Sequence, residues 1–186
     1  MLLHDRRLDF ARDLVGHWLR IRGGDLVPFG RDVDPRELLP WLPYLGIADL
    51  APEGAVFAVA GAVVKHRFGR EIRHLKWRDL VPPILGHVGE SARDSICRIP
   101  CGYYHKFTVV REEGVAPISA ETLVLPLRHR DPAVPDAVIG FSHEIEGEPA
   151  GSLAGWLVSS SHIISLFCEL VDIGAGLFAK PEPPRP

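Results

Sequence analysis

Three ionisable residues stand on strand faces that are otherwise apolar. In "YYHKFTVVRE", His105 alternates with Tyr103, Phe107 and Val109. In "ISAETLVLPLR", Glu121 shares a face with Leu123, Leu125 and Leu127, and in "AVIGFSHEIE", His143 follows Ile139 and Phe141. Burying such groups is costly unless each finds a partner. If all three point inward they line a pocket with a few convergent polar groups, as ligand sites do, with Trp77 as a wall. A buried Glu121 would then show a raised pKa or pair with a neighbouring histidine. The alternative is that all three sit at strand ends in water.

A second constellation is cationic. Lys65 to Arg78 holds six Lys or Arg residues against Glu71 and the adjoining Asp79. Lys65, Arg67, Arg70 and Arg73 are candidates for an anion site or a patch that meets an acidic partner. The plainer reading is a solvated face whose Ile72, Leu75 and Leu80 point inward.

Other chemistries lack their parts. Cys97, Cys101 and His105 are spaced by four, but structural zinc needs four ligands, usually with a tight cysteine pair, so no metal is expected. "VDIGAG" has the look of a loop that binds S-adenosylmethionine. Such a loop works between the first strand and helix of a Rossmann sheet, and fewer than a dozen residues follow it. There is no Gly-x-Ser-x-Gly, Walker loop or His-Glu-x-x-His, so no catalytic residue is assigned.

The elements that would hold these residues fit one domain. At 186 residues, with 46% hydrophobic and 24% charged residues and a mean hydropathy of +0.08, the chain is a folded protein able to bury a core. A net charge of −3 gives no general attraction to nucleic acid or anionic membrane. Three cysteines cannot all pair, and "MLLHDRRLDFARD" carries charges where a signal peptide needs an apolar run, so a reducing cytoplasm is expected. Leu153 to Leu170 is strongly apolar but contains three consecutive serines, His162 and Glu169, and is read as no membrane span.

Leu8, Ala11, Val15, Trp18 and Leu19 recur at helical spacing, which predicts an amphipathic helix over roughly Asp5 to Arg22. Asp34 as N-cap and Pro35 at the first helical position predict a short helix before Pro40. "YLGIADL" and "AVFAVAGAVV" read as two strands, the second rich in small residues that let another layer approach. Gly69 to Pro100 loses the period of two, and Pro82, Pro83, Gly86 and Gly89 divide it into short helical pieces. Three strands, "YYHKFTVVRE", "ISAETLVLPLR" and "AVIGFSHEIE", follow, joined by tight turns. Leu153 to Leu170 is read as a further helix. Two strands, a helical connection and three strands predict an α+β fold: a five-stranded antiparallel sheet with short helices over one face, flanked by N-terminal and C-terminal helices. Residues 1–150 would form the domain with its N-terminal helix, 151–179 a C-terminal helical extension, and 180–186 ("KPEPPRP" in its last seven positions) a disordered tail.

That order, with "HWLRIRGGDLVPFGRDVDP", "LLPWLPYLGIADL", "FAVAGAVVKHRFGREI" and "ETLVLPL", resembles the PAS-domain superfamily, in particular a family of single-domain PAS-like proteins common in alphaproteobacteria. Val59 and Ala62 stand where that family often has Arg and Thr, and His74 and Leu75 stand near the end of its usual "G-x-x-x-T-G". The resemblance implies that "FAVAGAVVKHRFGREI" is the second PAS strand leaving the sheet for a helical roof over a ligand cavity. "CRI" is faintly similar to the "NCRFLQ" of flavin-binding PAS photoreceptors. Ile96 replaces the Asn before Cys97 and Pro100 stands where the Gln would follow, so a photoreceptor is rejected. A haem-binding PAS protein would use a histidine such as His87 as axial ligand, although an exposed or hydrogen-bonded histidine is the simpler account.

The resulting expectation is a non-catalytic cytoplasmic PAS-like sensory or signalling module, bacterial by resemblance, its cofactor unidentified. It would bind a small-molecule ligand or a protein partner between sheet and roof and act in trans on a signalling protein. Partners would include neither nucleic acid nor membrane. A homodimer through the N-terminal helix is expected, unless its apolar stripe packs on the sheet of its own chain. The alternatives are a ligand-free dimerising scaffold and, opposed by the antiparallel turns, an S-adenosylmethionine-dependent enzyme.

Overall fold

The computed structural model describes residues 3–80, 83–110, 117–129, 135–144 and 162–174. Helix α1 (Leu3–Arg22) is followed by β1 (Leu45–Ala51), β2 (Gly54–Ala60), α2 (Ala62–Phe68), α3 (Pro83–Arg98), β3 (Gly102–Val110), β4 (Ile118–Leu127), β5 (Ala137–Glu144) and β6 (His162–Val171). The strands form one sheet in the order β2-β1-β5-β4-β3-β6, every pair antiparallel. The connections from β1 to β2, β3 to β4 and β4 to β5 are too short for parallel crossovers, so each joins neighbours. The long connection leaves β2 at one edge and reaches β3 across the sheet, as the sequence pattern predicts.

Four local features differ from the sequence reading. The sheet has six strands, because His162–Val171, expected within a helix, pairs with β3. Period alone does not separate a buried helix from a strand in so apolar a run, and the open edge of β3 offers backbone partners that a helix would leave unpaired. Residues 151–161 and the 180–186 tail lie outside the described residues. The second strand stops at Ala60, and "AVV" begins α2. A β-carbon on Gly61 would lie 2.2 Å from the Leu42 carbonyl oxygen and 2.4 Å from that of Pro43, so the chain can turn there only on a glycine.

Asp34 does not cap a helix. Its carboxylate accepts from the Arg36 amide at 2.9 Å in a tight turn, and the helical segment, a 3-10 turn over Leu39–Tyr44, comes later. Finally, α3 runs unbroken through Gly86 and Gly89, which sequence propensity alone would make breaks.

The sheet has a layer on each face. On one, Leu14 and Trp18 of α1, each 1% exposed, pack with Leu38, Leu45, Leu125, Leu127, Ala137, Ile139 and Phe141. The Trp18 indole N–H donates to the Pro126 carbonyl at 2.8 Å, which satisfies the one polar atom that burial would otherwise strand. The predicted dimer stripe is therefore intramolecular core at Trp18 and Val15, while Leu19 stays 45% exposed. The side chains of Leu8 and Ala11 lie outside those described. On the other face α2, α3 and the turn Trp77–Asp79 form a roof, anchored by Val64, Ile72, Leu80 and Ile96. Among the described residues no helix is long and apolar enough to cross a membrane.

Candidate functional site

Between the sheet and this roof lies a cavity of about 150 Å³. Alternation along the strands decides its floor: Gly46, Ala48 and Leu50 of β1, Tyr103 and His105 of β3, Thr122 and Val124 of β4, Val138, Gly140 and Ser142 of β5. Ala55 and Phe57 of β2 line it too, and Val64, Phe68, Trp77, Gly89, Ala92, Arg93 and Ile96 close it from the roof. The Trp77 indole is seated by α3, since a β-carbon on Gly89 would fall 2.4 Å from its Nε1. That N–H is buried with no hydrogen-bond partner among the described residues.

The wall carries few polar groups. His105 is 3% exposed, and burial pushes its pKa down to about 4, so its imidazole is neutral at pH 7. Its ring centroid is 5.8 Å from that of Tyr103. The Thr122 hydroxyl donates to Ser142 Oγ at 2.5 Å. Arg93 reaches the edge, but its guanidinium donates to the carbonyls of Ala51 and Pro52, both at 3.0 Å, and to the Asp94 carboxylate at 2.6 Å.

Of the four predicted ligand residues the structure brings two together. His105 and Trp77 line the cavity, whereas Glu121 and His143 point to the opposite, α1 side of the sheet. There they pair with each other, His143 Nε2 lying 3.1 Å from Glu121 Oε1, and the Tyr104 hydroxyl donates to Glu121 Oε2 at 2.7 Å. The register explains the split: His105 is opposite Thr122, while Glu121 is opposite Lys106 and His143, one residue out of phase. Pairing of Glu121 with a histidine, one of the two expected outcomes, is what occurs, though away from the cavity. Sequence reasoning missed the small residues that make the cavity, Gly46, Ala48, Ala92 and Gly140. Their signal was the run of Gly and Ala at alternate positions of "LGIADLA" and "VIGFS".

Residues 8–141 match the family model described as PAS domain. The chain belongs to the PAS domain family. Its β6 lies beyond the matched segment. Comparison with curated proteins found no match. Among solved structures, the LOV protein of Rhodobacter sphaeroides aligns at 14% identity and TM-score 0.42, covering 62% of this chain and 70% of that one. A variant of Vivid aligns at 16% identity and TM-score 0.40, covering 72% and 93%. Family membership rests on the sequence match.

Within this PAS domain the cationic turn lies on the outside of the roof. Lys65 pairs with Glu71 at 3.3 Å, Arg70 donates to the Asp79 carbonyl at 3.3 Å, and Arg73 is exposed. The Arg67 side chain lies outside those described. Lys65, Arg70 and Arg73 do not line the cavity. Glu71 accepts from the backbone amides of Arg73 and Ile72, both at 3.1 Å, which fixes the turn; the Arg73 amide first, then Lys65 and the Ile72 amide, hold its carboxyl below the usual carboxylate range. Beyond it His74 has φ 64, the left-handed conformation that suits the glycine usual near that place. The His74 amide donates to the Phe57 carbonyl at 2.7 Å, clipping the turn to the edge of β2.

The remaining candidates fall elsewhere. His87 is 82% exposed beside Glu90 and does not reach the cavity. Neither Cys97 nor Cys101 lines it: the Cys97 thiol faces the Pro135 carbonyl at 3.6 Å, and burial raises the pKa of both thiols, that of Cys101 to about 11. No group of three or more His, Cys, Asp or Glu suited to a metal occurs among the described residues. Asp172, in "VDIGAG", accepts from the Gly174 amide at 2.7 Å in a turn that follows an antiparallel strand.

Proposed function

We propose that this PAS domain is a non-catalytic sensory module that holds a small molecule in the cavity between sheet and roof and signals in trans. The observation that carries the reading is that cavity, built from alternate small residues on the same sheet whose other face is filled with large ones. Residues 62–80 link ligand to output. Val64, Phe68 and Trp77 face the cavity, while Lys65, Arg70 and Arg73 face outward as the surface for an acidic protein partner. A ligand that binds one arrangement of the roof better than another shifts the population of that cationic surface. Cys97 and Cys101 are unbonded, in keeping with a reducing cytoplasm. Self-association uses a surface other than Trp18, which is buried in its own chain.

The test is recovery of a small molecule. Protein purified from its native cell is denatured and its extract analysed by mass spectrometry, beside Gly140→Leu and Ala92→Leu, which fill the cavity from floor and roof. A compound released by the parent and missing from folded filled variants supports the reading. Identical extracts from parent and variants overturn it.

A further inference from the structure

The walls of the cavity restrict what can enter it. Its volume of about 150 Å³ equals that of an apolar protein cavity known to accept benzene, the scale of a single ring. Aromatic rings stand on both sides. Phe57 and Trp77 pack at 6.3 Å between centroids with planes inclined by 50°, and Tyr103 and His105 at 5.8 Å with the same inclination. Tilted pairs of this kind present faces and edges to a further ring, which adds stacking to simple burial.

Charge is excluded by the same walls. An anion would need a cation to neutralise it, and the guanidinium that lines the cavity among the described residues, that of Arg93, is engaged with two carbonyls and Asp94. The basic residues Lys65, Arg70 and Arg73 lie outside the cavity. An aromatic cage can hold a quaternary ammonium, but among the described residues no carboxylate lines this one to balance a cation. The polar groups that remain are uncharged: on the floor the neutral imidazole of His105 and the hydroxyls of Tyr103, Thr122 and Ser142, and from the roof the indole N–H of Trp77.

We infer that the cavity binds an uncharged ligand built on a single small aromatic ring system, with one hydroxyl, amine or carbonyl turned toward His105 and the Thr122–Ser142 pair. The inference rests on the ligand-binding reading above and names the class of molecule. The mouth need not admit charge, because the groups that would neutralise it are already spent.

The experiment uses the full chain at pH 7.5 with a defined panel: phenol and indole as neutral rings, toluene as the ring without a polar group, benzoate and flavin mononucleotide as anions, choline as cation. Melting temperature and titration calorimetry are read for each. Phenol or indole is expected to raise Tm by about 3–5 °C at roughly ten times its Kd, with toluene weaker and the charged probes silent. Gly140→Leu should abolish the shift, and Glu121→Gln, on the far face of the sheet, should leave it intact. His105→Phe should reduce phenol binding more than toluene binding. If benzoate, flavin mononucleotide or choline binds instead, in a manner blocked by Gly140→Leu, the ligand class is wrong while the cavity reading stands. The class is equally overturned if the compound recovered from native protein is charged or lacks an aromatic ring. If no probe binds and native protein yields no compound, both fall.

Discussion

The two faces of this sheet are made by the same strands and serve opposite ends. Toward α1, alternate positions supply Leu125, Leu127, Ile139 and Phe141, and Trp18 packs over them. Toward the roof, the intervening positions supply Val124, Gly140 and Ser142, and together with Gly46 and Ala48 they leave space. The difference lies in side-chain volume at alternate residues. The packed face supplies the stability that lets the other remain hollow, since unfilled space forfeits contacts that a dense core would make.

The contrast breaks most directly at Trp18. Trp18→Ala removes the centre of the packed face and its bond to the Pro126 carbonyl, and is expected to cost about 3–5 kcal/mol in urea unfolding. Survival of the fold at near-parental stability would show that α1 is not the structural face.

A second lever is pH, acting on the hollow face. His105 titrates near 4 when folded against about 6.5 when unfolded, so below about 6.5 the unfolded chain binds the extra proton. Stability is full above that pH and falls progressively toward pH 4, by up to about 3 kcal/mol from this group alone. In His105→Gln the slope between pH 6.5 and 4 should be shallower. An unchanged slope would mean that His105 is hydrated.

A matched pair of enlargements sharpens the comparison. Ala137 is fully buried in the packed core and Ala48 lines the cavity. Ala137→Leu should cost about 1–3 kcal/mol by overpacking, whereas Ala48→Leu should be neutral or stabilise by about 1 kcal/mol as it fills free space. Equal costs at both sites would show that the cavity has no room. The smallest effect is expected at His74. His74→Gly relieves a left-handed residue at the price of a more flexible unfolded chain, for a net gain below about 1 kcal/mol by thermal unfolding.

Much of this architecture was legible in the sequence. Five of the six strands, α1 and the roofing connection follow from alternation, helical spacing and turn residues. The sixth strand was not, because the apolar run ending at Val171 suits either period and the free edge of β3 is a property of the sheet. At the site, His105 and Trp77 were found, Thr122 and Ser142 were not, and Glu121 and His143 were assigned to the wrong side. Each strand's alternation shows which residues share a face, but not which face of the next strand they join.

The sequence by itself determined the periods, the turns, the small residues and the cationic run, because these are set by local backbone chemistry and by neighbours along the chain. Tertiary structure alone decided the register of β3 against β4 and β5, since a slip of one residue inverts every side chain. That register sends His105 into the cavity and pairs Glu121 with His143 behind it. It also decided that Gly89 lies under the Trp77 indole and that Gly61 meets the Leu42 and Pro43 carbonyls, contacts between residues 12 and 18 or more positions apart that no local pattern encodes.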